Sequence, residues 1–350
     1  MARVPKFLAC PECGSPDLRW STTLTPLAAP FDVSDGLRCA GCKREFPYVD
    51  GVWVLWSDQV KELRLGAPPE ESDLSGRVKH ANLSVYDDVS EDHSEHTNNL
   101  HSYMQTLLFL KALAADYATQ PTARRARVCV DVACGGGPGL DVGSRLFDER
   151  VGVDISLGNL RIVARKGHTA VLGDAERLPL GEGSVDLVTC FAALHHLPNP
   201  DAFVSSAHRA VRAGGVVLTG CDPSNAFMHF GPIAQTVWDA RKPIYRLLAQ
   251  TTGSERFYMH KDTEFQETND LAEFQRTEGG FAPETLEKVF RGAGFEKVDV
   301  FYGLDTEKRR QWDMPPWKFF VLKALSGQNP LRRSNWVNLT AMGRKASPSA

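Results

Sequence analysis

Five short runs of β-branched and apolar residues, at 128–132, 151–155, 170–174, 185–190 and 216–220, constrain this chain more than any other feature. They alternate with helical or glycine-bearing segments. Near-continuous apolar runs of this length are buried on both faces, the pattern of parallel strands in βαβ units. An α/β fold follows. At 350 residues the chain exceeds what one core ordinarily holds, so a second, smaller unit is expected beside the sheet.

That unit announces itself at the start. Cys10-Pro11-Glu12-Cys13 and Cys39-Ala40-Gly41-Cys42 form two Cys-x2-Cys pairs separated by 25 residues. Two turns that each present two thiolates can meet as a tetrahedral S4 site, whose softness and geometry select zinc. Four ligands close the shell, so the zinc is structural. The other cysteines, Cys129, Cys134, Cys190 and Cys221, lie singly in apolar runs and read as core thiols. Phe46-Pro47-Tyr48-Val49-Asp50-Gly51-Val52-Trp53 reads as strand, Asp-Gly turn and strand.

The resulting division is a zinc ribbon over 1–57, a linker over 58–80 marked by Pro68-Pro69 and Glu70-Glu71, the α/β domain over 81–325, and a flexible tail over 326–350. Within the α/β domain, 222–281 is too long for an ordinary connection and is read as a helical cap insertion, with helical spacing over 233–249. A helix over 103–117 leads into the domain, a helix from Pro283 follows the cap, and strands at 297–302 and 317–322 complete the sheet.

Composition excludes several classes. Forty Lys and Arg against 43 Asp and Glu leave a net charge of −3, which gives nucleic acid or acidic lipid no general attraction. The longest apolar stretch, 104–115, is too short for a membrane span and is broken by Lys111. With no secretory apolar region at the N-terminus, the reading is a cytoplasmic protein that does not enter membranes. The oligomeric state is left open.

Asp131-Val132-Ala133-Cys134-Gly135-Gly136-Gly137-Pro138-Gly139 follows the first parallel strand and opens a helix. Glycines there let the backbone approach a ligand beside a positive helix end. The dinucleotide fingerprint does not fit: counting from Gly135 the sixth residue is Leu140, and from Ala133 it is Pro138. The lysine of a phosphate-binding loop is absent as well.

The loop resembles the first motif of the class I S-adenosylmethionine-dependent methyltransferases (type 11-like), with Ala133 at the first glycine position. The resemblance continues through Val151-Gly152-Val153-Asp154-Ile155-Ser156, Gly173-Asp174-Ala175-Glu176-Arg177-Leu178-Pro179, Gly183-Ser184-Val185-Asp186-Leu187-Val188 and Leu194-His195-His196-Leu197-Pro198. It implies a Rossmann-like seven-stranded sheet, mostly parallel with an antiparallel last strand. It also implies S-adenosyl-L-methionine as cofactor, with Asp131, Ala133, Gly135 and Gly137 at the methionine end, Asp154 and Ile155 at the ribose, Asp174 and Ala175 at the adenine, and Phe191 beside them. The cysteine module, for its part, resembles the zinc ribbons of methyltransferase activators and of rRNA guanine-N1 methyltransferases.

Methyl transfer from a sulfonium needs alignment more than a base. For a hydroxyl acceptor, His195 is the candidate proton acceptor. His93, His96 and His101 are read as a polar edge, and the resemblance implies that Tyr86, in Asn82-x3-Tyr86-Asp87, folds over the cofactor. Asp186 is read as structural. The favoured acceptor is a small molecule such as a natural product, quinone, lipid or sugar precursor, because the cap supplies Phe227, His229, Trp238, Tyr245, Tyr258 and His260. An rRNA or tRNA base is the alternative suggested by the ribbon. Against it, the cap region 222–278 carries nine acids and six Lys and Arg. A non-catalytic cofactor-binding scaffold is the second alternative.

Overall fold

The computed structural model describes residues 3–88, 127–143, 147–225, 236, 263–302 and 338–347. Four short strands come first: β1 (Leu18–Ser21), β2 (Gly36–Cys39), β3 (Glu45–Val49) and β4 (Val52–Val54). Helices α1 (Asp58–Leu65) and α2 (Leu74–Asp88) follow. The βα alternation then runs β5 (Val128–Val132), α3 (Pro138–Gly143), β6 (Glu149–Asp154), α4 (Leu157–Arg165), β7 (Thr169–Leu172) and β8 (Val185–Phe191). It continues with α5 (Pro200–Ala210), β9 (Val211–Pro223), α6 (Thr263–Ala272), α7 (Phe274–Thr277), α8 (Pro283–Gly292), β10 (Lys297–Tyr302) and β11 (Asn338–Arg344).

The described strands form one sheet in the order β1-β2-β3-β4-β7-β6-β5-β8-β9-β11-β10. From β4 to β9 the neighbours are parallel, whereas β11 runs antiparallel to both β9 and β10. Every residue of β5 is buried, as its unbroken apolar run requires. Strand order reverses between β5 and β8, and an open α/β sheet leaves a crevice beyond the strand ends at such a point.

The expected Asp-Gly turn joins β3 to β4, with φ of 51° at Asp50 and 85° at Gly51. Less expected is what β4 does next. It pairs in parallel with β7, matching Val52, Trp53 and Val54 to Ala170, Val171 and Leu172. The cysteine-bearing strands therefore continue the central sheet, and Val52, Val54 and Leu55 share its core.

Several expectations are corrected. Residues 58–80, read as a linker, carry all of α1 and the first half of α2. Ser57 caps α1 through Val60 N–H, and only Val60 and Leu63 of α1 are buried, too few apolar positions to declare a helix. The tail is not frayed over 338–344. Those residues form β11, in which Leu339, Thr340 and Ala341 are buried between two strands. The last strand expected from the sequence, 317–322, lies outside the described residues. So do the helices expected over 103–117 and, except for residue 236, over 233–249. His93, His96, His101, Phe227, His229, Trp238, Tyr245, Tyr258 and His260 also lie outside them. At the described end of the cap region, α6 packs on α2 through Ala272, Ala81 and Val85.

Candidate active site and metal centre

The four cysteines converge as their spacing demands. Sγ of Cys10 lies 3.6 Å from that of Cys42, and Sγ of Cys13 lies 3.5 Å from that of Cys39. Four thiolates held at about 2.3 Å from one zinc stand about 3.8 Å apart, so small adjustments complete a tetrahedral site. The donor set fits a structural zinc ion.

At the sheet crevice the C-terminal ends of β5, β6, β7, β8 and β9 surround a cavity of about 330 Å³. Of the residues assigned to the cofactor from sequence, Asp131, Ala133, Gly135, Asp154, Ile155, Asp174, Ala175 and Phe191 line it, together with His195. Gly137 is not in that lining. It has φ of 78°, and a Cβ there would stand 3.1 Å from Val163, so its part is to bring the loop against α4. Ala133 and Gly135 adopt φ of 52° and 51°. Ala192 and Cys221, also on the wall, are left-handed at 51° and 63°, so unfavourable backbone gathers at this cavity.

Each acid has a distinct setting. Asp131 accepts the Thr189 hydroxyl at 2.6 Å, yet burial pushes its carboxyl up to about 7. Burial likewise lifts Asp154 to about 6, against the backbone N–H groups of Ser156 at 2.8 Å and Gly135 at 2.9 Å that favour its ionised form. Two buried carboxyls raised in this way suit a ligand bearing positive charge or hydroxyl donors. Oδ1 of the cavity-lining Asn159 is a buried acceptor without a partner among the described residues. These features fit the sulfonium, ammonium and ribose hydroxyls of S-adenosyl-L-methionine.

Asp174 differs from the bare acceptor expected of it. Its Oδ2 is 2.8 Å from the Lys79 ammonium and its Oδ1 takes the Glu176 N–H at 2.9 Å. Lys79 also reaches Glu176 at 2.8 Å and Gln59 at 2.9 Å. Burial disfavours its charge, but the two carboxylates outweigh that and raise its pKa. Asp186 binds Val128 N–H at 2.8 Å and Arg212, a place in the sheet rather than the cavity.

His195 lies in the turn Leu194–His196 after β8. Its Nδ1 is 2.9 Å from Oδ1 of the fully buried Asp222, and its Nε2 is 3.5 Å from Glu273. Burial works against the imidazolium, but hydrogen bonds to Asp222 and Glu273 overcome it and push the pKa up to about 9. His196 shows the opposite balance. Burial, reinforced by the neighbouring His195, pulls it down to about 4; its Nδ1 donates to the Ala272 carbonyl at 2.8 Å and its Nε2 faces the Tyr86 hydroxyl at 3.3 Å. Tyr86 also lines the cavity.

Asp222, Glu273, Lys79, Asn82 and Arg276 were not singled out from sequence. Asp222 had a signal, an acid ending a parallel strand just as Asp131 and Asp154 do. Glu273 and Arg276 lie near the end of the cap insertion, outside every motif the sequence offers, and Lys79 and Asn82 lie in or beside the stretch read as a linker.

Residues 130–219 match the family described as a methyltransferase domain. That match and the relatives that follow support an S-adenosylmethionine-dependent methyltransferase. Its relatives include a ubiquinone biosynthesis O-methyltransferase of Cupriavidus pinatubonensis, 29% identical over 51% of this chain and 68% of that protein. A demethylmenaquinone methyltransferase of Streptomyces avermitilis is 31% identical over 40% of this chain and 59% of that protein. The chain thus aligns with only part of each relative. Among solved structures, a chain from the complex between the Haloferax volcanii Trm112 methyltransferase activator and a methyltransferase matches 77% of this chain and 99% of that one, at 15% identity and a TM-score of 0.44. Among the described residues no helix is long and apolar enough to cross a membrane.

Proposed function

We propose that this protein transfers the methyl group of S-adenosyl-L-methionine to a hydroxyl on a small, largely apolar acceptor, a quinol or phenol being the chemistry that suits it best. The observation that carries the proposal is the Asp222–His195–Glu273 chain, whose His195 and Glu273 line the same cavity as the glycine loop. The name of the ubiquinone biosynthesis O-methyltransferase agrees with a hydroxyl acceptor, and that of the demethylmenaquinone methyltransferase agrees with a quinone only as the acceptor class.

Bound S-adenosyl-L-methionine supplies an electrophilic methyl on a sulfonium that leaves as a neutral thioether. Asp131 would balance the cationic methionine end, Asp154 would take the ribose hydroxyls, and the Gly173–Ala175 segment would form the wall for adenine. Asp222 fixes Nδ1–H of His195, leaving Nε2 beside Glu273, which also lines the cavity. In its neutral form Nε2 takes the acceptor's hydroxyl proton as the oxygen becomes nucleophilic. Glu273 stabilises the imidazolium that results. Phe191, Ala192, Leu197 and Pro198 supply apolar surface for the acceptor and exclude water.

The test pairs calorimetry with a methyl-transfer assay. Purified protein is expected to bind S-adenosylhomocysteine and to methylate members of a panel of quinols and phenols, with His195→Ala abolishing transfer but not binding. Methylation of bulk tRNA or rRNA in preference to every small acceptor would overturn the acceptor assignment.

A further inference from the structure

Between Cys10 and Cys13 the first cysteine turn carries Glu12, which spans two structural units. Its carbonyl accepts Arg177 Nη2 at 3.0 Å, and its carboxylate lies 3.3 Å from Arg177 Nη1. The same carboxylate accepts the backbone N–H of Asp58 at 3.0 Å, at the start of α1. One residue on, Gln59 accepts from Lys79, whose remaining contacts are Asp174 and Glu176. Arg177 N–H in turn donates to the Asp174 carbonyl at 3.1 Å. Two further backbone bonds fasten the flanks: Ala9 N–H to the Pro179 carbonyl at 3.0 Å and Gly181 N–H to the Phe7 carbonyl at 2.8 Å. The loop from Gly173 to Pro179 is therefore held by the cysteine turn on its outer side and by Lys79 on its inner side. Gly173, Asp174 and Ala175 of that loop line the cavity.

We infer that Glu12 and Lys79 are positioning residues for the cofactor, and that metal occupancy of the four-cysteine site is thermodynamically linked to affinity for the adenosyl ligand. The inference rests on the cofactor reading above and on zinc as the metal. With the metal in place, the Cys10–Cys13 turn is rigid and Glu12 pins both Arg177 and the head of α1. Without it, the turn is free to open, Glu12 no longer fixes either contact, and the wall that meets the ligand must be ordered during binding. Lys79 couples to the same wall because its buried ammonium requires Gln59, Asp174 and Glu176 together. Linkage is reciprocal, so whatever factor zinc adds to ligand affinity, the ligand must add to zinc affinity.

The experiment measures S-adenosylhomocysteine binding by calorimetry on the full chain in four forms: zinc-loaded, zinc-stripped, Glu12→Ala and Glu12→Gln. Zinc transfer to a chromophoric chelator is followed with and without saturating S-adenosylhomocysteine. Expected are a loss of about tenfold in affinity for Glu12→Ala with one zinc retained, at least that loss on stripping, and substantial recovery in Glu12→Gln, whose amide oxygen still accepts Asp58 N–H. Saturating ligand should raise the apparent zinc affinity by the factor lost on stripping. If the stripped chain unfolds, Glu12→Ala decides, since it keeps all four thiolates. Wild-type affinity in Glu12→Ala, or zinc transfer indifferent to ligand, overturns the linkage alone. Absence of binding by the zinc-loaded wild type overturns the cofactor reading and the linkage with it.

Discussion

Oδ1 of Asp222 receives both the backbone N–H of His195, at 3.2 Å, and Nδ1 of the same residue, at 2.9 Å. A strand-end carboxylate thus fixes the position of the turn after β8 and the orientation of the ring it presents. With the pKa of His195 pushed up to about 9, the ring is charged at neutral pH in the unliganded protein, and proton acceptance from a hydroxyl requires the neutral fraction. Methyl transfer should accordingly increase with pH and level off above about 9 in a pH–rate profile. Asp222→Asn removes the main support of the charge and should move the inflection toward the ordinary histidine value. His195→Ala should lower kcat by about 10²- to 10⁴-fold while leaving S-adenosylhomocysteine affinity within a few-fold. An unchanged pH profile in Asp222→Asn would remove His195 from the chemistry.

The same histidine affects stability, with a definite sign. Its folded value lies above the ordinary 6.5, so its contribution is fully present below about pH 6.5 and is lost as pH rises through about 9. Thermal unfolding of wild type and His195→Ala across that window should converge at the alkaline end.

On the proposed cofactor assignment, Asp154 makes ligand binding sensitive to acid. Its raised pKa of about 6 means that S-adenosylhomocysteine affinity should fall as pH drops below about 6. Asp154→Asn should weaken binding by about 2 kcal/mol at neutral pH, the scale of hydrogen bonds to a charged group, as read by calorimetry.

Ala133 occupies a left-handed position where glycine carries no steric penalty. Ala133→Gly should stabilise the fold by up to about 1 kcal/mol, because relief of roughly 1–2 kcal/mol in the folded state exceeds the added chain entropy of the unfolded state. Denaturant melts of the two proteins measure this directly.

Strand β11 has both neighbours inside the sheet, so its loss cannot be confined to a chain end. Truncation after residue 337 should yield protein without a cooperative unfolding transition. Ala341→Asp, which places a carboxylate at a fully buried position, should destabilise by about 3 kcal/mol or more.

The strands from 128 to 220 are legible because parallel strands buried on both faces leave unbroken apolar runs. The cysteine site is legible because ligand spacing is local. Helix α1 has two buried side chains and follows the composition of a connector, so its formation depends on the surface it meets. Strand β11 reads Asn-Leu-Thr-Ala-Met-Gly-Arg, a mixture whose buried threonine and glycine look like a tail until β9 and β10 flank it. The site divides along the same line. Residues at the ends of legible strands line the cavity, whereas Lys79 on α2 and Glu273 between α6 and α7 are brought there by tertiary packing alone.

The parallel pairing of β4 with β7 has a practical consequence. The backbone donors and acceptors along that side of β7 are occupied by the chain's own N-terminal hairpin. A fragment beginning after residue 57 would bare three consecutive rungs on an apolar strand, Ala170, Val171 and Leu172, a ready template for a foreign strand. Expressing the catalytic half alone should therefore give self-association, and cutting away the cysteine module would create a sticky border rather than a minimal enzyme.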